Sequence, residues 1–339
     1  MQNNKKIIFG APEDFGFSNA IKNELTALGY QVIDLSKINN EFKYPSILAR
    51  VYNLYRKVFF NDKSYKALIR SKTITKNLIN HLNNIDGNCY SLFIRPDLFP
   101  LGIFDYLKKK HINLSGYHWD GMKRYSTINE YIKYFDRFYC FEPEDLKDNK
   151  DILPCTNFYL INSLSKQETD LESVAYTINS FQNDRINTSF KIKSILKKIG
   201  ISSNFMIFTR NRKEHSKAKA LGFKTTKKTI TYEQNISHVL SCNLLIDIQI
   251  KTQSGLSFRI FESIGYSKKI ITTNKDVYKY DFYNPNNILI WDNQSESELL
   301  EFYNKEYEPL PILIKEKYSF GNWIKYVLNI EDHIPINLP

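Results

Sequence analysis

The chain lacks the cysteine patterns that organise small secreted domains and zinc sites. Its four cysteines lie far apart in 339 residues and form no Cys-X-X-Cys pair, so neither a disulfide framework nor a zinc ribbon is expected. No apolar run approaches the roughly 18 residues of a membrane-spanning helix. The apolar stretch at residues 7–9 is too short for the core of a signal peptide. We therefore expect a protein of the reducing cytoplasm that does not span a membrane.

Glycine is scarce, with 12 residues in the chain, and the dinucleotide-binding fingerprint is absent. The loop after the first predicted strand contains Gly10 and Gly16, separated by a proline and two acidic residues, where three closely spaced glycines would be needed. An NAD-dependent enzyme is therefore disfavoured. The acidic residues, Glu13 and Asp14, follow the strand directly, where ligands bind in open α/β sheets, and both are candidate catalytic carboxylates.

The charge balance is strongly positive, because 47 Lys and Arg against 36 Asp and Glu give a net charge of +11. This excess favours an anionic partner, which can be nucleic acid, a nucleotide or the anionic inner surface of a membrane. The basic residues are spread along the chain without zinc-finger spacing, an RNP-type motif or a long basic arm, so nucleic acid is not expected. The length and the 42% hydrophobic content suit a globular protein with two domains.

Strand and helix patterns alternate in both halves of the chain, which predicts parallel sheets. Residues 44–84 are predicted to form an inserted helical layer, and the alternative is a lipid-facing amphipathic surface. The first helix is predicted at 20–28 with Ser18 as its cap, and later helices at 103–110, 128–135, 217–221 and 232–240. The predicted strands lie at residues 6–10, 31–35, 90–94, 138–141, 204–209, 228–231, 244–250, 268–273 and 288–291.

A strand–turn–helix pattern at residues 244–265 is the most informative part of the second half. The strand ends in a turn at Ser254-Gly255, and Ser257 can cap the short helix that follows. A helix start after the carboxyl end of a strand presents N–H groups and a positive dipole end, which suit a phosphate. Arg259, one turn into the helix, would add a bidentate charge.

The same helix allows a simpler interpretation. Arg259 and Glu262 are three residues apart on the polar face, so they can form a solvent-exposed salt bridge in an ordinary β-α-β unit. Arg210, at the end of another predicted strand, is either a second diphosphate contact or part of a solvated basic loop.

A second block, residues 115–125, crowds His, Trp, Asp, Lys and Arg into seven positions. His118, Trp119 and Asp120 end a predicted strand, and a connector would not need so many functional side chains. Asp120 and His118 are therefore candidate catalytic residues. The alternative is that Trp119 belongs to the core and Asp120 caps the next helix.

Six short blocks give the chain a resemblance to bacterial glycosyltransferases of lipopolysaccharide and capsule biosynthesis. The resemblance covers roughly residues 5–150 and 230–295. The blocks are Tyr-His-Trp-Asp-Gly at 117–121, Asp-Arg at 136–137, Phe-Glu-Pro-Glu-Asp at 141–145, Gly-Leu-Ser-Phe-Arg-Ile-Phe-Glu at 255–262, Lys-Lys-Ile-Ile-Thr-Thr-Asn at 268–274 and Tyr-Asp-Phe-Tyr at 280–283.

The resemblance implies the GT-B architecture, an α/β fold with two Rossmann-like domains whose parallel sheets face a cleft. It implies an N-terminal acceptor domain at 1–150, with the helical insertion at about 44–84, and a C-terminal nucleotide-sugar domain at 151–339 whose final helix packs back on the first domain. The acceptor would be a glycan or lipid-linked glycan at the anionic inner membrane. The implied donor-binding residues are Ser254, Gly255, Leu256, Ser257, Arg259, Glu262 and Arg210.

The chain departs from the family in one respect. Many retaining members carry two glutamates separated by seven residues, and here Glu262 matches the second while Ser254 holds the position of the first. Retention or inversion is therefore left open. The family fold needs no obligatory metal and the chain has no Asp-X-Asp triplet, so metal-independent transfer is expected.

Inverting transfer needs a base that takes the proton of the acceptor hydroxyl. The candidate bases are Asp120 and Asp14, followed by Glu13 and His118. Two other functions remain open on the sequence. One is a non-catalytic nucleotide- or sugar-binding protein, and the other is a nucleic-acid-binding protein.

Overall fold

Two six-stranded parallel sheets form the framework of the protein. The computed structural model describes residues 5–37, 42–82, 85, 89–147, 149–162 and 174–339, except for the side chain of Asp14. The first sheet contains β1 (Lys5–Gly10), β2 (Tyr30–Asp34), β3 (Tyr90–Ile94), β4 (Ser115–His118), β5 (Arg137–Cys140) and β6 (Ile152–Pro154). The second contains β7 (Ala175–Ser180), β8 (Ser203–Phe208), β9 (Lys224–Thr226), β10 (Leu244–Asp247), β11 (Lys269–Thr272) and β12 (Ile288–Ile290).

Helices cover both faces of each sheet, as parallel sheets require. Short 3-10 turns lie at Asp14–Gly16, Pro96–Leu98, Ser126–Ile128 and Lys275–Lys279. The α-helices are α1 (Phe17–Ala27), α2 (Ile47–Phe59), α3 (Ser64–His81), α4 (Leu101–Lys109), α5 (Asn129–Ile132), α6 (Pro143–Lys147), α7 (Asn183–Lys198), α8 (Arg212–Ala220), α9 (Tyr232–Leu240), α10 (Phe258–Gly265), α11 (Glu296–Asn304), α12 (Ile312–Lys317) and α13 (Phe320–Val327).

The strand order places a crevice in each sheet. The first sheet runs β2-β1-β3-β4-β5-β6 and the second β12-β11-β10-β7-β8-β9, with parallel pairing throughout. The chain therefore reverses direction across the sheet between β1 and β3, and again between β7 and β10. Ligands of open α/β sheets bind outside the carboxyl ends of the strands at such points. The predicted α/β fold with two Rossmann-like domains is confirmed.

The end of the chain belongs to the core of the first domain. Trp323 of α13 is fully buried against Tyr117 of β4, with ring centroids 5.0 Å apart, and its indole N–H donates to the carbonyl of Thr156 at 2.9 Å. Phe320, Ile324 and Val327 lie in the same cluster. The chain thus crosses from the first sheet to the second after β6 and returns through α13, so two segments connect the domains.

Several predicted elements have different bounds in the structure. The first helix begins at Phe17, and its N-cap is Gly16 at φ 73° while Ser18 is buried in the first turn. The strand predicted at 228–231 is wrong. The strand is β9, and Thr231 instead forms a capping box with Gln234 at the start of α9. The helix predicted at 128–135 is a 3-10 turn followed by the single turn of α5.

Residues 44–84, expected to form a helical insertion, hold α2 and α3; positions 83 and 84 lie outside the described residues. The second half of α3 packs on the first sheet through Ile74 and Leu78, which are buried, whereas no residue of α2 is buried. In the described part of the chain, no helix is both long and apolar enough to cross a bilayer.

Candidate functional site

A cleft of about 580 Å³ lies between the two domains at the carboxyl ends of the strands. Its position agrees with the crevices that the strand order creates in the two sheets. The first domain contributes Phe15, Phe17, Arg95, Trp119, Asp120, Arg124 and Tyr125. The second contributes Ile178, Asn179, Ser180, Phe208, Ile230, Tyr232, Asn235, Phe258, Arg259 and Glu262.

A smaller cavity of about 170 Å³ adjoins the cleft. Trp119, Asp120, Arg124 and Phe258 line both spaces, so these residues form their common wall. The other residues around the smaller cavity are Phe141, Asn157, Arg185, Asp247, Gln249, Ile250, Gln253, Gly255, Ser257 and Asn274.

Aromatic rings close the boundary between the domains beside the cleft. Phe17 of the first domain lies 4.6 Å from Tyr232 and 4.9 Å from Phe258 of the second, measured between ring centroids. Trp119 lies 6.2 Å from Phe258. Contacts of this kind, tilted or edge-on, are favourable for aromatic pairs, so they help to hold the two domains together where these residues line the cleft.

The start of α10 is tied to the ends of two strands through Asp247, the last residue of β10. One carboxylate oxygen of Asp247 accepts a hydrogen bond from the Ser257 hydroxyl at 2.8 Å, and the other accepts one from the Thr272 hydroxyl at 2.9 Å. Ser257 therefore holds the N-cap position, as the sequence predicts, but its side chain makes no capping bond. The helix start is fixed against the strand ends instead.

The turn before α10 is occupied by a carboxylate from the other domain. Glu142, just after β5, accepts the N–H of Ser254 at 2.9 and 3.0 Å and that of Gly255 at 3.3 Å, and it also accepts the Ser254 hydroxyl. A Cβ on Gly255 would lie 2.5 Å from the carbonyl oxygen of Phe141, so only glycine allows this approach. The N–H groups expected to bind phosphate here are thus engaged by Glu142.

Leu256, also expected to bind the donor, is instead a buried core residue. Its side chain is buried in the core of the second domain, and its carbonyl accepts a hydrogen bond from the Asn157 amide at 2.9 Å. The residues from Ser254 to Leu256 therefore join the domains, and the helix that borders both cavities begins directly after Ser257.

Arg259 lines the cleft with an unsatisfied guanidinium. Its Nη1 atom is buried and has no hydrogen-bond partner among the described residues. The guanidinium lies over the ring of Tyr176, 5.4 Å from the centroid, and Tyr176 is itself held by a 3.1 Å hydrogen bond to Asn235. A buried guanidinium nitrogen without an acceptor is costly, so this geometry calls for an anionic or polar ligand.

A second arginine, Arg185 in the first turn of α7, lines the smaller cavity. Its guanidinium donates from Nε to the carbonyl of Ile248 at 2.8 Å, and also from Nη2. No carboxylate of the described chain lies within the 4.0 Å of an ion pair. Burial lowers the pKa of Arg185. Arg185 lines the smaller cavity with Ser257, so it flanks the start of α10 opposite Arg259.

Arg185 was not among the residues predicted to bind the donor. The signal that would have found it is its place just after a strand, since Asn183-Asp184-Arg185 follows β7 and opens α7. β7 itself was not predicted, so the arginine could not be assigned to a carboxyl edge.

Glu262 is buried rather than solvent-exposed, at 3% exposure. Burial raises the pKa of its carboxyl group and the nearby Arg259 lowers it, with burial the stronger effect. It lines the cleft, and no hydrogen bond to its carboxylate comes from the residues that the structure describes. The expected alternative, a solvated Arg259–Glu262 salt bridge, is therefore wrong, because the carboxyl group is buried and the two side chains do not come within ion-pair distance.

Asp120 stands on the opposite wall in a network of arginines. Its Oδ2 accepts from Arg95 at 2.8 Å, and Arg124 lies 3.6 Å from its Oδ1. Arg95 also holds Asp97 through two hydrogen bonds of 2.8 Å and stacks over Tyr125 at 3.9 Å. Asp120 caps no helix, since the next helical turn begins six residues later at Ser126. The structure thus replaces the capping interpretation with a partly buried ion pair.

The remaining candidates whose side chains are described lie away from the cleft wall. His118 is fully buried behind Asp120, burial lowers its pKa to about 4, and neither ring nitrogen has a hydrogen-bond partner among the described residues. Glu13 is exposed and Arg210 lies exposed over Phe208, outside both cavities. The side chain of Asp14 is outside the described structure.

No protein-family model matches the chain, and no curated protein matches it either. Similar solved structures include the apo form of the lipopolysaccharide outer core galactosyltransferase WaaB, with 13% identity and a TM-score of 0.49, covering 96% of this chain and 99% of that one. MurG of Acinetobacter baumannii has 10% identity and a TM-score of 0.44, covering 96% and 98%. A UDP-N-acetylglucosamine 2-epimerase has 10% identity and a TM-score of 0.49, covering 99% of both chains. At this level of likeness we take neither an activity nor a substrate from these proteins.

Proposed function

We propose that the protein is a glycosyltransferase that moves a sugar from a nucleotide-sugar donor to a glycan acceptor. The observation that carries this proposal is the pair of arginines at the start of α10. Neither Arg185 nor Arg259 forms an ion pair within 4.0 Å with a carboxylate of the described chain, and one nitrogen of Arg259 is buried without any acceptor. They line adjoining cavities at the carboxyl edge of the second sheet.

A diphosphate fits this arrangement in charge and in geometry. Two guanidinium groups can balance its negative charge, and the positive end of the α10 dipole adds to the attraction. During transfer, negative charge grows on the leaving phosphate, so fixed cations stabilise the transition state more than the ground state. We propose that Arg185 and Arg259 perform this role, and that transfer needs no metal because the arginines supply the charge.

The nucleoside would occupy the cleft on the second-domain side. Glu262 presents a buried carboxylate without a protein donor, and a carboxylate in this state is satisfied by hydroxyl groups of a ribose or a sugar. Phe208, Ile178 and Ile230 provide an apolar wall suited to the face of a base. Of the residues expected from the sequence, we keep Arg259, Glu262 and the backbone at Ser257 as donor contacts.

The reacting end of the donor would lie where the two cavities meet. Trp119, Asp120 and Phe258 line both of them, so a sugar attached to a diphosphate at α10 reaches Asp120. Arg95 fixes one oxygen of Asp120, and the other faces the weaker contact with Arg124. We propose that this second oxygen takes the proton from the acceptor hydroxyl. Asp14 and Glu13 remain second candidates for the base.

The acceptor that we propose is a surface glycan, of the lipopolysaccharide or capsule type, built on a lipid carrier. The support for it is the block resemblance of the sequence together with the net charge of +11, which suits an anionic membrane surface. The protein would then work at the inner face of the cytoplasmic membrane.

The test is incubation of the purified protein with a panel of nucleotide sugars, followed by measurement of free nucleotide release. We expect release from one member of the panel, raised by addition of a lipid-linked glycan extract. Binding of a nucleotide sugar without release under any condition would instead favour a non-catalytic binding protein. Absence of nucleotide binding would contradict the proposal.

A further inference from the structure

The most unusual surface of the molecule is one side of α2. Eight large apolar or aromatic side chains of this helix are between 47% and 83% exposed, and no residue of α2 is buried. Such a continuous apolar surface is rare on a monomeric protein and marks a site of interaction. The ring of Tyr52 packs 4.8 Å from that of Tyr65 in α3. The other seven, which we call the α2 face, are Ile47, Leu48, Val51, Leu54, Tyr55, Val58 and Phe59.

The α2 face is a continuous stripe rather than a scatter of side chains. At about 100° per residue its seven members cover an arc of about 140°. Arg50 and Lys57 border the stripe on one side. On the other side Arg56 stacks over Tyr65 of α3, 5.4 Å from the ring centroid, and pairs with Asp62. One side of α2 therefore packs on α3 while the apolar stripe points outward.

α3 holds α2 in place. Its second half is anchored in the core by Ile74 and Leu78, while its first half is exposed. Because α3 leads into β3, which starts at the amino edge of the first sheet, the first turns of α3 lie nearer the carboxyl edge. That is the edge at which the cleft lies, so the α2 face stands on the same side of the molecule as the cleft.

The charges of the segment that contains α2 and α3 identify the kind of partner. Residues 42–82 contain nine Lys and Arg but a single acidic residue, Asp62. Docking of a second copy of the chain would bring two such basic surfaces together, and their electrostatic repulsion disfavours this contact. An anionic lipid surface complements them instead, because it accepts the apolar stripe between its headgroups and attracts the bordering cations.

We propose that the α2 face docks on an anionic lipid bilayer, with α2 lying in the plane of the interface. This inference deepens the proposed function, because it names the surface that would bring a lipid-linked acceptor to the cleft. Only this biological role rests on the proposed function, whereas lipid binding itself does not. The partner is a phospholipid surface with anionic headgroups.

The test is co-sedimentation of the full chain with vesicles of phosphatidylcholine alone or mixed with phosphatidylglycerol. We expect binding that requires phosphatidylglycerol and weakens in high salt. The double variant Leu54→Ser/Val58→Ser should bind about tenfold more weakly or worse, since each apolar group that leaves the interface reduces the affinity. Both side chains are exposed, so the fold is not at risk.

A matched control is available in the other domain. Ile312 and Leu313 of α12 are 77% and 65% exposed, as much as Leu54 and Val58, so Ile312→Ser/Leu313→Ser removes the same kind of surface. Unchanged vesicle binding by this variant supports the proposal. Equal loss in both variants, or no loss in Leu54→Ser/Val58→Ser, would overturn it.

Two further measurements test the role of charge in lipid binding and distinguish a lipid surface from a second copy of the chain. Arg50→Gln/Lys57→Gln should reduce binding to phosphatidylglycerol vesicles by about tenfold, at about 1 kcal/mol or less per charge, and unchanged binding would contradict the role of charge. Sedimentation velocity without lipid should give a monomer. A dimer that Leu54→Ser/Val58→Ser dissociates would assign the face to a second copy. Nucleotide binding in solution, measured in parallel, tests the proposed function separately from membrane docking.

Discussion

Replacing Asp120 by asparagine separates a catalytic carboxylate from a structural one. The variant keeps the shape of the side chain and an oxygen that can accept from Arg95, but it removes the charge. Arg95 retains both of its hydrogen bonds to Asp97, so it is not left unpaired. If Asp120 takes the proton of the acceptor, Asp120→Asn should lower turnover by roughly 100-fold or more, the usual size of a general-base contribution.

The stability of the same variant can be bounded from the structure. One charge-assisted hydrogen bond, Arg95 to Asp120 at 2.8 Å, becomes a neutral-acceptor bond, and the difference between the two kinds is about 1 to 1.5 kcal/mol. The loss of the longer contact to Arg124 adds little, because that arginine is half exposed. We therefore expect Asp120→Asn to be about 1 to 2 kcal/mol less stable and to remain folded at the assay temperature.

The assay is steady-state turnover together with urea unfolding and nucleotide binding. Donor affinity should be unchanged, because Asp120 belongs to the first-domain wall of the cleft, opposite the proposed donor contacts Arg259 and Glu262. Asp97→Asn is the control, because Asp97 forms an ion pair with the same Arg95 guanidinium but lines neither cavity. It should lose at least as much stability as Asp120→Asn and far less turnover. Turnover of Asp120→Asn within threefold of the wild type, or an equal loss in Asp97→Asn, would refute the reasoning and direct attention to Glu13 and Asp14.

Two more predictions concern buried polar groups. Burial lowers the pKa of His118 from 6.5 to about 4, so the unfolded state binds more protons than the folded state between these pH values. The free energy of unfolding should therefore fall as the pH drops from 6.5 to 4, by up to about 3 kcal/mol from this group. The unfolding free energy of His118→Leu, measured against pH, should lack this part of the decline, and a pH profile identical to that of the wild type would contradict the prediction. Glu142→Gln should destabilise the protein by about 1 to 3 kcal/mol and speed amide exchange at Ser254 and Gly255, because the amide nitrogen of glutamine cannot accept hydrogen bonds from their N–H groups. The control Glu144→Gln, at an exposed ion pair with Lys147, should change little, and equal effects of the two variants would contradict an interdomain contact through Glu142.

Local patterns predicted the elements of the second domain whose sequence signals are strong. α9 has the predicted bounds, Tyr232–Leu240, because Thr231 and Gln234 form a capping box. β10 and β11 are short apolar runs buried on both faces, which is the pattern of strands inside a parallel sheet. Between them the glycine turn and α10 were also placed correctly.

What the sequence could not predict depends on contacts between distant residues. Glu142 is 112 positions from Ser254, and nothing local indicates that its carboxylate fills the turn before α10. Helical periodicity placed Glu262 on a polar face, but a period does not tell whether that face meets solvent or the wall of a cleft. The weakly patterned strand β7 was missed, and with it the position of Arg185.

The central claim is that Arg185 and Arg259 hold the diphosphate of a nucleotide sugar at the start of α10. The most direct measurement is calorimetric titration of UDP, GDP and ADP into the wild type and into Arg185→Gln, Arg259→Gln and Arg210→Gln. A hydrogen bond to a charged group contributes about 1.5 to 3 kcal/mol, so we expect each of the first two variants to bind the preferred nucleotide roughly 10- to 100-fold more weakly. Arg210, exposed and outside both cavities, should have no effect. Wild-type affinity in Arg185→Gln and Arg259→Gln, or an equal loss in Arg210→Gln, would contradict the claim.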